Sequence, residues 1–267
     1  MRNTSQHARG ILLAGGKGSR LAPLTNSLSK QLLPICDKPM IYYPLVALME
    51  AGIREILLIS SPEHLPDYQR LLDNGKQWGI KLHYLEQPAP GGLPQAFHIG
   101  ADFIGTDPVT LMLGDNIFFG GPFNEQLAIS AINPIGATIF IVRHGQPSNY
   151  GVVELGPTGK VLSLEEKPLV AKSEHVVTGA YCFDHEVIEH VKTLRPSKRG
   201  ELEMIDLIRI YHTQSKLRVK FLSEKTLWFD AGTPKTLSAA SVAISNAQKK
   251  QKWLGVPEHV AKIKHWI

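Results

Sequence analysis

The sequence predicts an α/β protein with a mostly parallel central sheet flanked by helices, and three observations carry that prediction. Short apolar runs (Ile11-Leu12-Leu13, Ile56–Ile59, Val109–Leu113) recur with helix-like stretches between them, the alternation that winds parallel strands through crossover helices. The connections are short, with no linker rich in Pro, Gly or Ser and no internal repeat. The first apolar run also turns abruptly into Gly15-Gly16-Lys17-Gly18, at the carboxyl end of a strand, where open parallel sheets bind their ligands.

Taken in order, a buried strand over Ile11–Leu13 is followed by a helix that opens at Pro39, runs to about Ala51 and stops at Gly52. A strand over Ile56–Ile59, a helix over Leu65–Asn74, a strand over Ile80–Leu85 and a helix over Pro94–Phe103 come next. Val109–Leu113 is a core strand ending at Gly114-Asp115-Asn116. From Gly136 the texture becomes more strand-rich, with strands over Ala137–Val142, Gly151–Leu155, Val161–Leu164 and His175–Phe183. Helices over Asp184–Leu194 and Leu202–His212, a strand over Leu217–Leu222 and a last strand over Thr226–Phe229 lead to Asp230. Thr233-Pro234 reads as an N-cap with proline in the first turn, opening a helix to about Lys252. The whole chain, 1–267, reads as one α/β domain in three stretches: 1–135, an inserted second half over 136–232, and the C-terminal helices at 233–267.

Bulk properties narrow the function. Lysine and arginine exceed aspartate and glutamate by 29 to 24, a net charge of +5, with compact basic runs only at Lys198-Arg199 and Lys249-Lys250-Gln251-Lys252. No basic stripe is interleaved with aromatics, so nucleic acid is not expected, and the excess suits phosphorylated small molecules. Cys36 and Cys182 are too few for a disulfide framework. Met1–Arg9 is polar, without an apolar leader, and no apolar run approaches a membrane span, so the expected compartment is the cytoplasm. No histidine pair has the i, i+4 spacing of a helical zinc site.

The glycine-rich stretch is the first candidate site. Glycines let backbone N–H groups approach a ligand and form a concave anion cradle. Arg20 can grip phosphate with two parallel N–H bonds, and Lys30 supplies a mobile point charge. Two common phosphate motifs do not fit: Gly16 stands where a P-loop needs lysine, and Leu21 stands where the dinucleotide fingerprint needs its third glycine. Asp115 and Asp230 each follow a strand, and two carboxylates with phosphate oxygens suit Mg²⁺; taken singly, each fits a turn or capping role equally well. Gln87 carries the donor and acceptor needed to read an imide edge, or is a plain loop glutamine. In Leu164-Glu-Glu-Lys-Pro168, Glu166 faces opposite Glu165 and Lys167, and could meet sugar hydroxyls while Lys167 holds a phosphate; an exposed strand end reads the same way.

Leu13–Leu21, Ser29-Lys-Gln-Leu-Leu-Pro34, Asp37–Pro44, Gly114-Asp-Asn116, Tyr150–Glu154, Leu164–Pro168, Val177-Thr-Gly179, Arg199–Glu203 and Trp228–Thr233 together resemble the sugar-nucleotide pyrophosphorylases, in order and over nearly the whole chain. Within that family the resemblance is to the branch joining dTTP to glucose 1-phosphate. It implies a Rossmann-like nucleotidyltransferase fold, Mg²⁺ as cofactor, dTDP-glucose and pyrophosphate as products, and a homo-oligomer, dimer or tetramer. Position by position it implies that Leu13, Ala14, Gly15, Gly16, Gly18, Ser19, Gln31, Gln87, Gly92 and Asp115 bind the nucleotide. Asn116, Gly151, Glu166, Lys167 and Val177 would bind the sugar, Asp115 and Asp230 the metal, and Arg20, Lys30 and Lys167 would carry the chemistry. The pattern departs from the family at Ser19, Gly91, Pro94, Phe118-Phe119 and Ala231, and the resemblance implies a short form without further C-terminal helices. A uridylyltransferase using UTP and a non-catalytic regulatory binder are the competing readings.

Overall fold

The structure is a computed structural model that describes residues 8–132, 134–250 and 253–267. The expected absence of a leader at 1–9, the expected helix end at Lys252 and the far end of the basic run at 249–252 fall wholly or partly outside the described residues.

Strand β1 (Arg9–Ala14) lies at the centre of a nine-stranded sheet because both its faces are covered. Ile11 and Leu13 point into one core layer and Leu12 and Ala14 into the other, so the strand reads as an unbroken apolar run. Burying each such side chain contributes about 1.5–3 kcal/mol. After β1 come the short strands β2 (Pro34–Ile35) and β3 (Lys38–Pro39), helix α1 (Tyr42–Glu50), β4 (Glu55–Ser60), α2 (Leu65–Leu72), β5 (Lys81–Glu86), α3 (Gln95–Ile99), α4 (Ala101–Ile104) and β6 (Val109–Leu113). β4 and β6 flank β1 in parallel and β5 joins β4 in parallel, which gives the expected parallel core.

The rest of the chain is β7 (Asn116–Phe119), α5 (Phe123–Ala131), β8 (Ala137–Arg143), β9 (Gly151–Leu155), β10 (Val161–Glu166), β11 (His175–Phe183), α6 (Val187–Thr193), α7 (Met204–Thr213), β12 (Leu217–Phe221), β13 (Leu227–Asp230), α8 (Pro234–Gln248) and α9 (Pro257–Ile263). β11 runs antiparallel to β6 and also pairs with β8 and β9, so it branches the sheet. Between Val177 and Tyr181 its register with β8 shifts, an irregularity of the kind that re-aims backbone beside a site.

Three local expectations change. Pro39 pairs with Pro34 in the β2–β3 hairpin rather than opening a helix, because the N–H groups of Met40 and Ile41 are taken by the Leu33 and Gln31 carbonyls; α1 begins at Tyr42. The helix over Pro94–Phe103 is two short helices meeting at Gly100, where a Cβ would lie 3.0 Å from Leu57 and 3.3 Å from Ile11. β7 pairs antiparallel with β13, a ribbon that the sequence reading passes over at the β7 end, and α5 follows it. Ile117, Ala231, Ala240 and Ile244 pack together beneath that ribbon and fix its position against α8.

Candidate functional site

Beyond the carboxyl ends of β1 and β6 lies a crevice in two lobes, of about 550 and 200 Å³, that share Leu93, Leu113, Asp115 and Glu201. The smaller lobe collects Leu13, Gly15, Gly16, Lys30, Gln31, Gln87, Gly92 and Asp115. The larger collects Arg20, Asp115, Asn116, Gly151, Glu166, Lys167, Val177 and Asp230. Residues expected to bind the nucleotide thus gather chiefly in one lobe and those expected to bind the sugar in the other. Ala14, Gly18 and Ser19 do not line either lobe. Ala14 is buried and its carbonyl accepts from Ser60 Oγ, while Gly18, with φ +61°, caps the one-turn helix Ser19–Leu21 that carries Arg20.

Backbone builds the smaller lobe. Gln31 Nε2 donates to the Gly15 carbonyl at 3.2 Å, and the Gly114 N–H donates to the Leu13 carbonyl at 2.8 Å. Gln87 donates through Nε2 to Gln95 Oε1 at 2.7 Å, and the same oxygen accepts the Gly91 N–H at 2.9 Å, which folds the 87–95 loop onto itself. Gly92 has φ +97° and lies so near the Leu202 backbone that a Cβ would be 2.1 Å from its carbonyl oxygen. The Leu202 N–H donates to the Gly91 carbonyl at 2.9 Å and closes the contact.

Carboxylates and cations converge where the lobes meet. Asp115 is 7% exposed and ion-paired with Lys30 at 2.5 Å. Burial works against its charge, but Lys30, joined by the Asn116 amide, holds the carboxyl below its ordinary range. The antiparallel register of β13 on β7 sets Asp230 opposite Asn116, next in sequence to Asp115. Burial, and then the charge of Asp115, push the Asp230 carboxyl up to about 6 against the pull of Lys30 and Arg20. Asn116 lines the larger lobe, but its amide already serves the fold. Oδ1 accepts from the Gly179 N–H at 2.9 Å and Trp228 Nε1 at 2.7 Å, and Nδ2 donates to Asp115 Oδ1 at 3.1 Å.

On the far side of the larger lobe, Lys167 stands 3.7 Å from Glu166, at a left-handed backbone position of φ +43°. Burial raises the Glu166 carboxyl above its usual range. Arg199 forks onto Glu203 (Nε to Oε1 3.1 Å, Nη2 to Oε2 2.6 Å) and reaches Glu166 at 3.2 Å. The sequence reading gives Arg199, Glu201, Tyr150 and Trp228 no role, yet all four line this lobe. The motif Arg199–Glu203 was in view; what sequence lacks is the fold of this segment back against Gly92. Among the described residues no cluster of three or more His, Cys, Asp or Glu side chains could hold a metal by itself, and no helix is long and apolar enough to cross a membrane.

The profile of the nucleotidyl transferase family matches residues 9–247. The chain is 46% identical to a glucose-1-phosphate thymidylyltransferase of Neisseria meningitidis, covering 97% of this chain and 90% of that one. It is likewise 46% identical to the enzyme of that name from Mycobacterium tuberculosis, with the same coverage of 97% and 90%. A Bacillus anthracis structure described as a glucose-1-phosphate thymidylyltransferase in complex with sucrose superposes with a TM-score of 0.82 at 36% identity, covering 88% of this chain and 94% of that one.

Proposed function

The chain belongs to the nucleotidyl transferase family, and from that membership we propose that it joins dTTP to glucose 1-phosphate, releasing pyrophosphate and forming dTDP-glucose. One observation carries the reading: two lobes meet at Asp115, with Lys30 on the smaller side, Arg20 on the larger, and Lys167 and Arg199 across it. That arrangement suits two anionic substrates that must touch at a single phosphorus atom.

The glycine loop and Lys30 receive the triphosphate in the smaller lobe, where Gln87 and Gly92 face the base. Lys167 and Arg199 receive the phosphate of the sugar phosphate, and Glu166, Gly151 and Val177 face the sugar. An oxygen of that phosphate attacks the α-phosphorus of dTTP. The new P–O bond forms as the bond from the α-phosphorus to the oxygen bridging to the β-phosphate breaks, and pyrophosphate carries the electron pair away. The attacker is already an anion, so no general base is required. The barrier lies in bringing anions together and spreading charge at the transition state, which Arg20, Lys30 and Lys167 oppose by position and charge.

Asp115 and Asp230 fit a divalent cation such as Mg²⁺. Burial and the charge of Asp115 raise the Asp230 carboxyl, and a divalent ion held by the two acids would offset that charge. When bound, the ion neutralises charge on the triphosphate. A homo-oligomer in the cytoplasm accompanies this reading, and light scattering on purified protein tests the assembly.

Pyrophosphate release measured with each of dTTP and UTP, and with a panel of sugar 1-phosphates, tests the function. Turnover of dTTP with glucose 1-phosphate that is lost in Lys167→Ala and Asp230→Asn supports it. Equal or better turnover with UTP would move the substrate assignment, and binding without release of pyrophosphate would end the reading.

A further inference from the structure

A buried polar chain runs behind the glycine loop, from Tyr68 through Ser29 to Gln31, which lines the smaller lobe. Tyr68 of α2 is fully buried, and its hydroxyl lies 2.7 Å from Ser29 Oγ and 3.2 Å from Gln31 Oε1. Ser29 Oγ donates to Gln31 Oε1 at 2.8 Å. With the serine proton used there, the single tyrosine proton is shared between Ser29 Oγ and Gln31 Oε1 in a three-centre bond. The Gln31 amide is thereby held with oxygen toward the tyrosine and nitrogen toward the loop, where Nε2 donates to the Gly15 carbonyl at 3.2 Å. Reversing that amide would set two donors against its NH₂ group and leave the Gly15 carbonyl without its donor.

The order of donors has a consequence for the loop. The carbonyl of Gly15 and the N–H of Gly16 belong to one trans peptide and point in opposite directions. Glycine on both sides leaves that peptide free to turn over, and Gly16 sits at φ +90°. Fixing the Gly15 carbonyl on Gln31 therefore aims the Gly16 N–H away from Gln31, and no acceptor among the described residues takes it.

We propose that Tyr68 is a positioning residue for nucleoside triphosphate binding: through Ser29 and Gln31 it locks the Gly15–Gly16 peptide in the orientation that offers the Gly16 N–H to a phosphate. The proposal rests on reading the smaller lobe as the triphosphate site, and the test separates the two. Tyr68→Phe keeps the ring and removes only the hydroxyl, a loss expected to raise the KM for dTTP about fivefold. The KM for glucose 1-phosphate and kcat stay within about twofold. Ser29→Ala gives the same split. Tyr211→Phe is the control, since it also removes a buried hydroxyl, bonded to Asp184 Oδ1 at 3.0 Å, but outside both lobes; it lowers Tm and moves neither KM.

Hydrogen exchange of the peptide spanning residues 14–18, followed by mass spectrometry, needs no turnover. It speeds up in Tyr68→Phe and is unchanged in Tyr211→Phe. An unchanged dTTP KM in Tyr68→Phe, or a shift in both KM values together, would overturn the proposal. Should the wild type turn over no dTTP, the function reading falls, and the exchange rates alone decide whether Tyr68 holds the loop; equal rates in wild type and Tyr68→Phe would overturn that too.

Discussion

The two lobes of the crevice are built from different materials. The smaller is mostly backbone: glycines, carbonyls and loop amides pinned by Gln31, Gln95 and Leu202, with Lys30 as its one lining cation among the described residues. The larger is set apart by its charged side chains, with Arg20, Lys167, Arg199, Glu166, Glu203 and Asp230 among its lining. Backbone does not titrate and loses little freedom on binding, so the smaller lobe recognises by shape set in advance. Side chains at close range perturb one another's ionisation, so the larger lobe recognises by charge that responds to pH. Asp115 belongs to both, and its pairing with Lys30 joins the two regimes.

The sharpest way to separate the lobes is to remove a charge from only one of them. Lys167→Ala takes away a cation of the larger lobe, and by comparison with other sites that stabilise developing charge kcat falls about 10²–10³-fold. The KM for glucose 1-phosphate rises while that for dTTP stays near its original value, as steady-state kinetics with each substrate varied in turn shows. Equal damage to both KM values would mean the lobes do not divide the substrates.

The corresponding change in the smaller lobe is to backbone shape. Gly92→Ala places a methyl group against the Leu202 carbonyl at a left-handed position, so the 91–92 segment must part from 202. The strained backbone alone costs about 1–3 kcal/mol, seen as a lower Tm. The KM for dTTP rises more than that for the sugar phosphate, since the displaced loop carries Gln87.

This division also governs what could be read from sequence. The parallel core, the glycine cradle, Arg20 and the acids at strand ends were legible because each depends on local pattern: an apolar run, a glycine cluster, an acid at a strand terminus. Arg199, Trp228 and Tyr150 were not, because their places in the larger lobe depend on a branch in the sheet at β11 and on the β7–β13 ribbon, pairings between segments more than 100 residues apart in the case of Trp228 and Asn116. Pro39 misled for a related reason. A first-turn proline and a hairpin proline look alike until the carbonyls that take the next N–H groups are known. Asn116, expected among the sugar ligands, lines the larger lobe while its amide also engages Gly179, Trp228 and Asp115, so one polar residue can face a site and hold it together.

The larger lobe should also show its charge in a pH profile. The Asp230 carboxyl is raised to about 6 from an ordinary value of 3.8, so the fold favours its neutral form. Ionising it as pH rises through that range costs the folded state stability, and Asp230→Asn, which cannot ionise, raises Tm at pH 7 by the equivalent of about 1–3 kcal/mol while abolishing turnover. Divalent cation binding runs the other way, since the ion needs the carboxylate. Measured by calorimetry, affinity falls about tenfold for each pH unit below the raised value. Asp115→Asn removes the neighbouring charge that helps hold Asp230 up, so in that variant the Asp230 carboxyl titrates at lower pH, readable by NMR. A flat Tm for Asp230→Asn at pH 7 would show that burial and the Asp115 charge together do not raise the Asp230 carboxyl.

The smallest effect tests the join between the lobes. Trp228→Phe keeps an aromatic ring beside Tyr150 and His144 but removes the indole N–H that donates to Asn116 Oδ1. Gly179 still donates to that oxygen, so Asn116 is loosened and not orphaned, and the loss is about 1 kcal/mol. Because the Asn116 Nδ2 donates to Asp115, the looser amide is felt at the carboxylate that both lobes share. Kinetically this is a fall in kcat of less than about tenfold with both KM values raised slightly, a signature distinct from Lys167→Ala, which moves one substrate, and from Gly92→Ala, which moves the other. A Trp228→Phe enzyme that weakened only the sugar phosphate would instead make the indole part of the sugar wall, and Asn116 would then hold Asp115 without its help.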